Sequence, residues 1–300
     1  MLKEMVSFKI SEETYHKMVE FYHDYQLEND GDYIAFFAKY EDITITIYES
    51  KKGFKAVFIG NNALYEAHIW DPNAEPVKIK KKEKEEWLSF NEQIGSDEVG
   101  VGDLCLPMIV IAAYVSKEDV KALIDLGVHD SKKLNDEFIM EIGPTLVRNF
   151  HVAKLTLHNY KYNEMINKGE NLNSLKAKMH NQALLIMKKK YPNTKEIYVD
   201  EFVKEETYYR YLDNDKEIQR GITFKTKGES YFPSVALASV IARYQFLLEK
   251  RKLEDKYQME FPFGAGKKAD EFILKFKEKY GLDEAIKISK SNFANLKDIK

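Results

Sequence analysis

Over the first seventy residues, apolar and polar positions alternate in short bursts. Met5 to Ile10 alternates apolar and polar and predicts a strand. Ser11 can then cap a helix in which Tyr15, Met18, Val19 and Tyr22 recur at helical spacing. After a turn at Asn29-Asp30-Gly31-Asp32 come three strand-like runs, Tyr33–Tyr40, Ile43–Tyr48 and Phe54–Gly60. Glu41-Asp42 and Lys51-Lys52-Gly53 join them, and connections this short imply antiparallel hairpins. Asn61 to Trp70 reads as a closing helix. Residues 1–70 are therefore expected to form a small α+β domain. Asp71-Pro72-Asn73-Ala74-Glu75-Pro76 interrupts any regular element, and Lys78 to Glu86 is almost wholly charged. We read 71–87 as a charged, solvated linker and 88–300 as a second domain.

Beyond the linker, buried-strand and helix patterns alternate. Met108 to Val115 is a continuous apolar run, which suits a strand covered on both faces. Ser116 opens a capping-box-like start to a helix closed by Gly127. His129–Leu134 is a polar loop, and the helix after it, Asn135 to Phe150, is expected to kink or divide at Gly143-Pro144. Val152–Leu157 predicts a strand, Asn173–Lys190 a helix, Ile197–Asp200 and Ile222–Thr226 strands, and Val235–Lys252 a long helix. A glycine loop (Phe261–Lys267), a helix (Ala269–Tyr280) and a polar tail complete the chain. This order argues for an α/β domain, a sheet with helices on its faces.

Within this pattern, Asp97 and Glu98 stand side by side in Ile94–Asp103, a glycine-rich and otherwise apolar stretch. Adjacent strand residues face opposite sides unless a bulge or turn re-aims one of them. Gly95, Gly100 and Gly102 could supply that turn; a solvated Asp-Glu turn is the plain alternative. Asp200 ends Ile-Tyr-Val, and Glu229 precedes the long helix, where an acid also suits the helix dipole. Four acids at the ends of buried elements suggest a cluster at one sheet edge. Clustered carboxylates repel unless cations bind. Oxygen ligands without His or Cys favour Mg²⁺ or Mn²⁺, and a two-ion carboxylate cage suits phosphodiester hydrolysis. Lys132, Lys227 and Lys267 flank nearby loops, either as solvated lysines or as a phosphate-binding rim.

Composition narrows the field only slightly. A hydrophobic fraction of 44% supports a real core, and 32% charged residues is no disorder signature. Net charge is −3, with 12 Lys against 17 Asp+Glu in residues 1–86, so any nucleic-acid partner must be met by local basic patches. One cysteine, Cys105, excludes an intrachain disulfide and fits a reducing compartment. His spacing offers no zinc motif, and no apolar run approaches membrane-spanning length. A cytoplasmic monomer is expected.

Several segments together resemble the bacterial ribonuclease HIII family, a branch of the type 2 ribonucleases H. They are Ile94–Asp103, the Asp-Ser-Lys-Lys-Leu of 130–134, Asn173–Ala183, Val199-Asp200, Lys227–Phe246 and Phe261–Lys267. The likeness covers about 90–300 by motif. Over 1–86 it is architectural, to a domain that resembles the TATA-binding protein and binds substrate. The resemblance implies an RNase H-like mixed sheet flanked by helices. It implies endonucleolytic cleavage of the RNA strand of RNA–DNA hybrids, leaving 5′-phosphate and 3′-hydroxyl ends. Asp97, Glu98, Asp200 and Glu229 would be the catalytic metal ligands. Gly100, Val101, Gly102, Ser131, Lys132, Lys227 and Ser230 would contact substrate, with the Gly100–Gly102 amides near the ribose 2′-hydroxyl.

Glu229 stands where ribonucleases HII carry Asp, and Gly100-Val101-Gly102 where they carry Gly-Arg-Gly. Weak action on a single embedded ribonucleotide is therefore expected. Val101 replaces the more usual Thr, and Leu104-Cys105-Leu106-Pro107 departs from an aromatic pair followed by Gly-Pro. On the first domain, Lys39, Lys51, Lys52 and Lys55 with Tyr33, Phe37 and Phe54 could build a hybrid-binding face. Rival readings are a ribonuclease HII-like junction endonuclease and a non-catalytic hybrid-binding protein. A small-nucleotide hydrolase lacks support, because the P-loop pattern is absent.

Overall fold

The computed structural model describes residues 4–28, 34–50, 53–77, 87–128 and 134–298. The turn at 29–32, Tyr33, Lys51, Lys52, the charge run 78–86 and most of the 129–134 loop, with Ser131 and Lys132, lie outside them. The chain divides into two compact units, Met1–Lys84 and Glu85–Lys300.

In the first unit β1 (Glu4–Ile10), β2 (Ile34–Tyr40), β3 (Ile43–Ser50) and β4 (Gly53–Gly60) form an antiparallel sheet of order β1-β4-β3-β2. Ser11 caps α1 (Glu12–Phe21) by accepting from the Thr14 N–H at 3.1 Å. Met18 and Tyr22, with Ala63 and Ala67 of α2 (Ala63–His68), pack on Val6, Phe36, Ile45, Ile47 and Phe58. Alternation along each strand sends Lys9, Phe37, Lys39, Tyr48, Lys55 and Ile59 to the other face. Phe54 is not among them. It stacks on Tyr15 with centroids 4.3 Å apart, because its even position shares the helix-covered face with Ala56 and Phe58. Asp71–Val77, expected as solvated linker, folds back instead. Ala74 is buried and the Val77 N–H donates to Met5 O at 2.7 Å.

The second unit holds a five-stranded mixed sheet of order β7-β6-β5-β8-β9. β5 (Gln93–Val99), β6 (Met108–Val115) and β7 (Val152–Leu157) run antiparallel; β8 (Glu196–Asp200) and β9 (Ile222–Lys225) continue parallel to β5. Nearly all of β6 is buried, as its unbroken apolar run predicts, because helices cover both faces. On one face Ile109, Ile111 and Ala113 meet α8 (Pro233–Tyr257), α4 (Asp136–Asn149) and α3 (Asp119–Asp125). On the other, Ile94, Val110 and Ala112 meet α6 (Leu172–Lys190).

Three local expectations change. α4 runs undivided through Pro144, since Ile139, Ile142 and Leu146 are buried in the core it shares with α8 and Arg243 of α8 ties down its first turn. Two short helices, α5 (Asn159–Asn167) and α7 (Glu205–Arg210), lacked a readable sequence signal. After α9 (Lys267–Tyr280), the expected polar tail instead forms α10 (Leu282–Ile288) and a closing 3-10 turn, burying Ala285, Ile288, Lys290 and Leu296. Among the described residues no helix is long and apolar enough to cross a membrane.

Candidate metal centre

Asp97 and Glu98 occupy the last turns of β5's zigzag and not a free turn. The strand period therefore aims them at different helices. The odd residues face α8. Gln93 Oε1 accepts from the Ser234 N–H at 3.1 Å and the Ser234 hydroxyl at 2.8 Å. A Cβ on Gly95 would stand 2.4 Å from Ser234 Oγ, so only glycine lets α8 lie this close. Two strand residues advance about 6.7 Å and five helix residues about 7.5 Å, so strand and helix stay in step. Ser239 accordingly reaches Asp97 and hydrogen-bonds its carboxylate.

The even residues face α6. His180 bridges two of them: Nδ1 meets the Ser96 hydroxyl at 2.8 Å and Nε2 meets Glu98 Oε2 at 2.8 Å. A carboxylate only accepts, so Nε2 carries the proton toward Glu98; in the neutral ring Nδ1 then accepts from the Ser96 O–H. Lys176, one helical turn earlier, ion-pairs with Glu98 Oε1 and lies over the Phe202 ring at 3.9 Å. Ser96 is fully buried, which removes it as a nucleophile despite the Ser-His-Glu chain.

Asp200 joins through sheet register. Ser96 and Val199 are the last pair of the parallel β5–β8 ladder, so the next residues along, Asp97 and Asp200, lie side by side where that pairing ends. β9 then leads to Lys227, whose positive φ of 61° turns the chain into a 3-10 turn at Gly228–Ser230. That turn brings the Gly228 N–H to Asp200 Oδ1 at 2.8 Å and presents half-buried Glu229 beside it. Lys227 is exposed and Ser230 buried.

The charges respond as crowding requires. Burial pushes Asp97 well above the usual carboxylate range, and repulsion from Glu98 and Asp200 adds to it, against the Ser239 and Glu98 N–H hydrogen bonds. Asp200 is also raised, chiefly by burial and by Glu229 and Glu98, with the Gly228 amide pulling the other way. Burial would raise Glu98 too, but His180 and Lys176 together outweigh it and hold Glu98 low. All four acids thus interact. Among the described residues no three His, Cys, Asp or Glu side chains already converge on one ligand point. The donor set still fits a hard divalent cation: oxygen ligands only, with mutual repulsion that a cation would relieve.

Gly100–Gly102 turns the chain from β5 toward β6. Gly100 has φ 84°, and a Cβ there would stand 2.0 Å from Pro107 O, so glycine is obligatory. Beside Glu98, a cavity of about 270 Å³ is lined by Val99, Ser239 and Arg243. Arg243 is held bidentate to Asp136 at 2.8 Å and lies 4.5 Å from the Phe263 ring centroid. Lys176, His180 and Ser239 carried no assigned role in the sequence. A Lys and a His four apart on a largely buried helix was the available signal.

Residues 94–296 match the Ribonuclease HII family, and residues 5–84 match Domain of unknown function (DUF3378). Ribonuclease HIII of Bacillus cereus is 39% identical over 271 residues, 87% of this chain and 86% of that protein. Its counterpart in Bacillus mycoides is 40% identical over the same share of each. Among solved structures, Bst-RNase HIII in complex with Mn²⁺ superposes with a TM-score of 0.68 at 32% identity, covering 98% of this chain and 97% of that one. Aquifex aeolicus RNase H3, 20% identical with a TM-score of 0.54 over 95% of this chain and 99% of that one, shares the fold.

Proposed function

The chain belongs to the ribonuclease HII family, in its ribonuclease HIII branch, and is an endonuclease acting on the RNA strand of RNA–DNA hybrids; we propose that Asp97, Glu98, Asp200 and Glu229 are its catalytic carboxylates. The observation that carries this is the β5–β8 register, which sets Asp97 near the end of β5 beside Asp200, the last residue of β8, and leaves their charges unneutralised by one another.

Two Mg²⁺ or Mn²⁺ ions held by these acids would supply an activated water and a stabilised leaving oxygen, giving 5′-phosphate and 3′-hydroxyl ends. The protein's part is positioning. Ser239 and the Glu98 N–H orient the Asp97 carboxylate; His180 and Lys176 keep Glu98 ionised; the Gly228 amide orients Asp200. Exposed Lys227 sits where it can meet a phosphate, with Ser230, Ser131 and Lys132 as further substrate contacts. The Gly100–Val101–Gly102 amides lie at the ribose. Without an Arg at Val101, a single embedded ribonucleotide is a poor substrate.

The first unit supplies hybrid affinity through its helix-free sheet face. Lys9 and Lys55 are directly paired across β1 and β4, and Tyr48 is paired with Lys55. Like charges placed opposite each other are destabilising, and a bound phosphate offsets that. Phe37 and Ile59 add apolar surface on the same face. The enzyme acts as a monomer in the cytoplasm, in keeping with its one cysteine, a buried thiol.

The test is cleavage of an end-labelled hybrid with Mg²⁺, Mn²⁺ and EDTA in parallel, beside a DNA duplex with one ribonucleotide. Cleavage of the hybrid only, dependent on metal, is expected. Activity in EDTA would overturn the metal reading, and efficient cutting of the second duplex would overturn the branch-specific substrate preference.

A further inference from the structure

One lysine is sealed inside the catalytic unit, behind the turn that follows β5. Lys290, just past α10, has no solvent exposure. Its ammonium donates to three main-chain carbonyls, Gly100 at 3.0 Å, Leu106 at 2.6 Å and Asp103. Its own backbone N–H donates to Leu104 O at 3.0 Å. An ammonium has three protons, so it is fully satisfied, yet no carboxylate oxygen accepts from it. The Asp103 carboxylate accepts from the Gly264 N–H at 2.6 Å.

A buried charge without an ion-pair partner is costly, and a core position tolerates it only where something else needs it. What the ammonium does is turn carbonyls inward. In a trans peptide the C=O and N–H of one unit point opposite ways, and no cis bond is present among the described residues. Drawing the Gly100 carbonyl toward Lys290 therefore drives the Val101 N–H outward. That amide has no hydrogen-bond partner among the described residues, and Val101 and Gly102 are accessible.

We propose that Lys290 is a positioning residue for ribose recognition: by gathering the carbonyls of Gly100, Asp103 and Leu106, it aims the Val101 amide at the substrate's 2′-hydroxyl. This rests on the reading that Gly100–Gly102 lies at the ribose.

Burial lowers the Lys290 pKa to about 8, against the Asp103 carboxylate and the Cys105 thiol, which hold it up. The other groups facing it are the Tyr162 and Phe293 rings, 5.9 and 5.8 Å from Nζ. Burial raises the Tyr162 phenol, and the Cys105 thiol is pushed up to about 12. Lys290 is thus the group of this cluster that titrates between pH 7 and 9.5. Its neutral amine keeps two protons for three carbonyls and loses the charge, so the turn loosens.

The experiment measures single-turnover cleavage of an all-RNA hybrid strand and of strands carrying one 2′-deoxynucleotide at successive positions around the main cut. Wild type is expected to lose about 10²-fold at one position. No loss at any position overturns the ribose reading itself, and with it the role of Lys290. Given that loss, Lys290→Met should cut the all-RNA strand about 10²-fold more slowly, with the deoxy strand nearly unaffected, while Mn²⁺ binding by calorimetry stays as in wild type. A folded Lys290→Met that keeps the wild-type ratio overturns the proposal. If the variant does not fold, the ratio in wild type decides: it should fall as pH rises from 7 to 9.5, because effects of hydroxide and metal cancel between the two strands. A ratio constant over that range overturns the proposal.

Discussion

Lys176 of α6 forms an ion pair with Glu98 of β5, both nearly buried, while His180 takes the other carboxylate oxygen. The protein thereby neutralises one acid of its centre internally and leaves Asp97 and Asp200 to repel each other.

Breaking that pair exposes the difference. Lys176→Met leaves Glu98 with His180 alone, and loss of one partner of a buried pair costs about 3–5 kcal/mol. We expect a lower Tm in EDTA and a larger Mn²⁺-induced rise in Tm than in wild type. Calorimetric scans with and without Mn²⁺ measure both; an unchanged Tm in EDTA would show the pair to be energetically idle.

Asp97→Asn should abolish cleavage, by about 10³-fold or more, while hybrid binding persists. It should also stabilise the metal-free protein. The folded pKa of Asp97 lies above its unfolded value, so the folded state holds the extra proton and stability falls as pH rises from the unfolded value through the folded one. Above the unfolded value the buried carboxyl opposes folding, either as the anion or by having to take up a proton, and Asn removes that opposition. A Tm higher by several degrees in EDTA is expected, shrinking toward pH 4; a lower Tm at pH 7 would contradict it.

The helix-free face of the first unit makes a salt-dependent prediction. Lys9→Glu with Lys55→Glu should weaken hybrid binding and reduce the slope of log K against log salt by about 2, one per lost phosphate contact. Phe54→Leu should lower stability and leave affinity intact, because its ring packs on Tyr15 under α1. Deleting 1–84 should weaken hybrid affinity far more than single-turnover chemistry at saturating enzyme. Binding titrations at several salt concentrations measure the affinities, thermal unfolding the Phe54→Leu stability and single-turnover cleavage the chemistry of the deletion; unchanged affinity on deletion would make the unit a bystander.

Cys105 should be inert. Burial pushes its thiol up to about 12, so at pH 8 its thiolate fraction is about 10⁻⁴. A thiol reagent at pH 8 should label the urea-unfolded chain quickly and the native protein only at its unfolding rate. Fast native labelling would contradict the burial of this segment.

Local patterns determined much of this protein. Alternation at Met5–Ile10 and three short strand-like runs joined by tight turns marked the four strands of the first unit, and the apolar run of β6 marked a strand covered on both faces, because side-chain direction repeats every two residues in a strand. The acids at 97, 98, 200 and 229, and the glycines beside the first two, were legible because charge beside buried strands is rare. Tertiary structure decided the rest. The strand zigzag sends Asp97 to Ser239 and Glu98 to Lys176 and His180, but only the packing of α8 and α6 on opposite faces says which helix receives which acid. Parallel pairing of β5 with β8 brings Asp200 alongside, across a chain separation that no local window spans. Lys290 looked like part of a polar tail. Its place under Gly100, 190 residues earlier, depends on α10 folding back, and nothing in its neighbours' pattern encodes that contact.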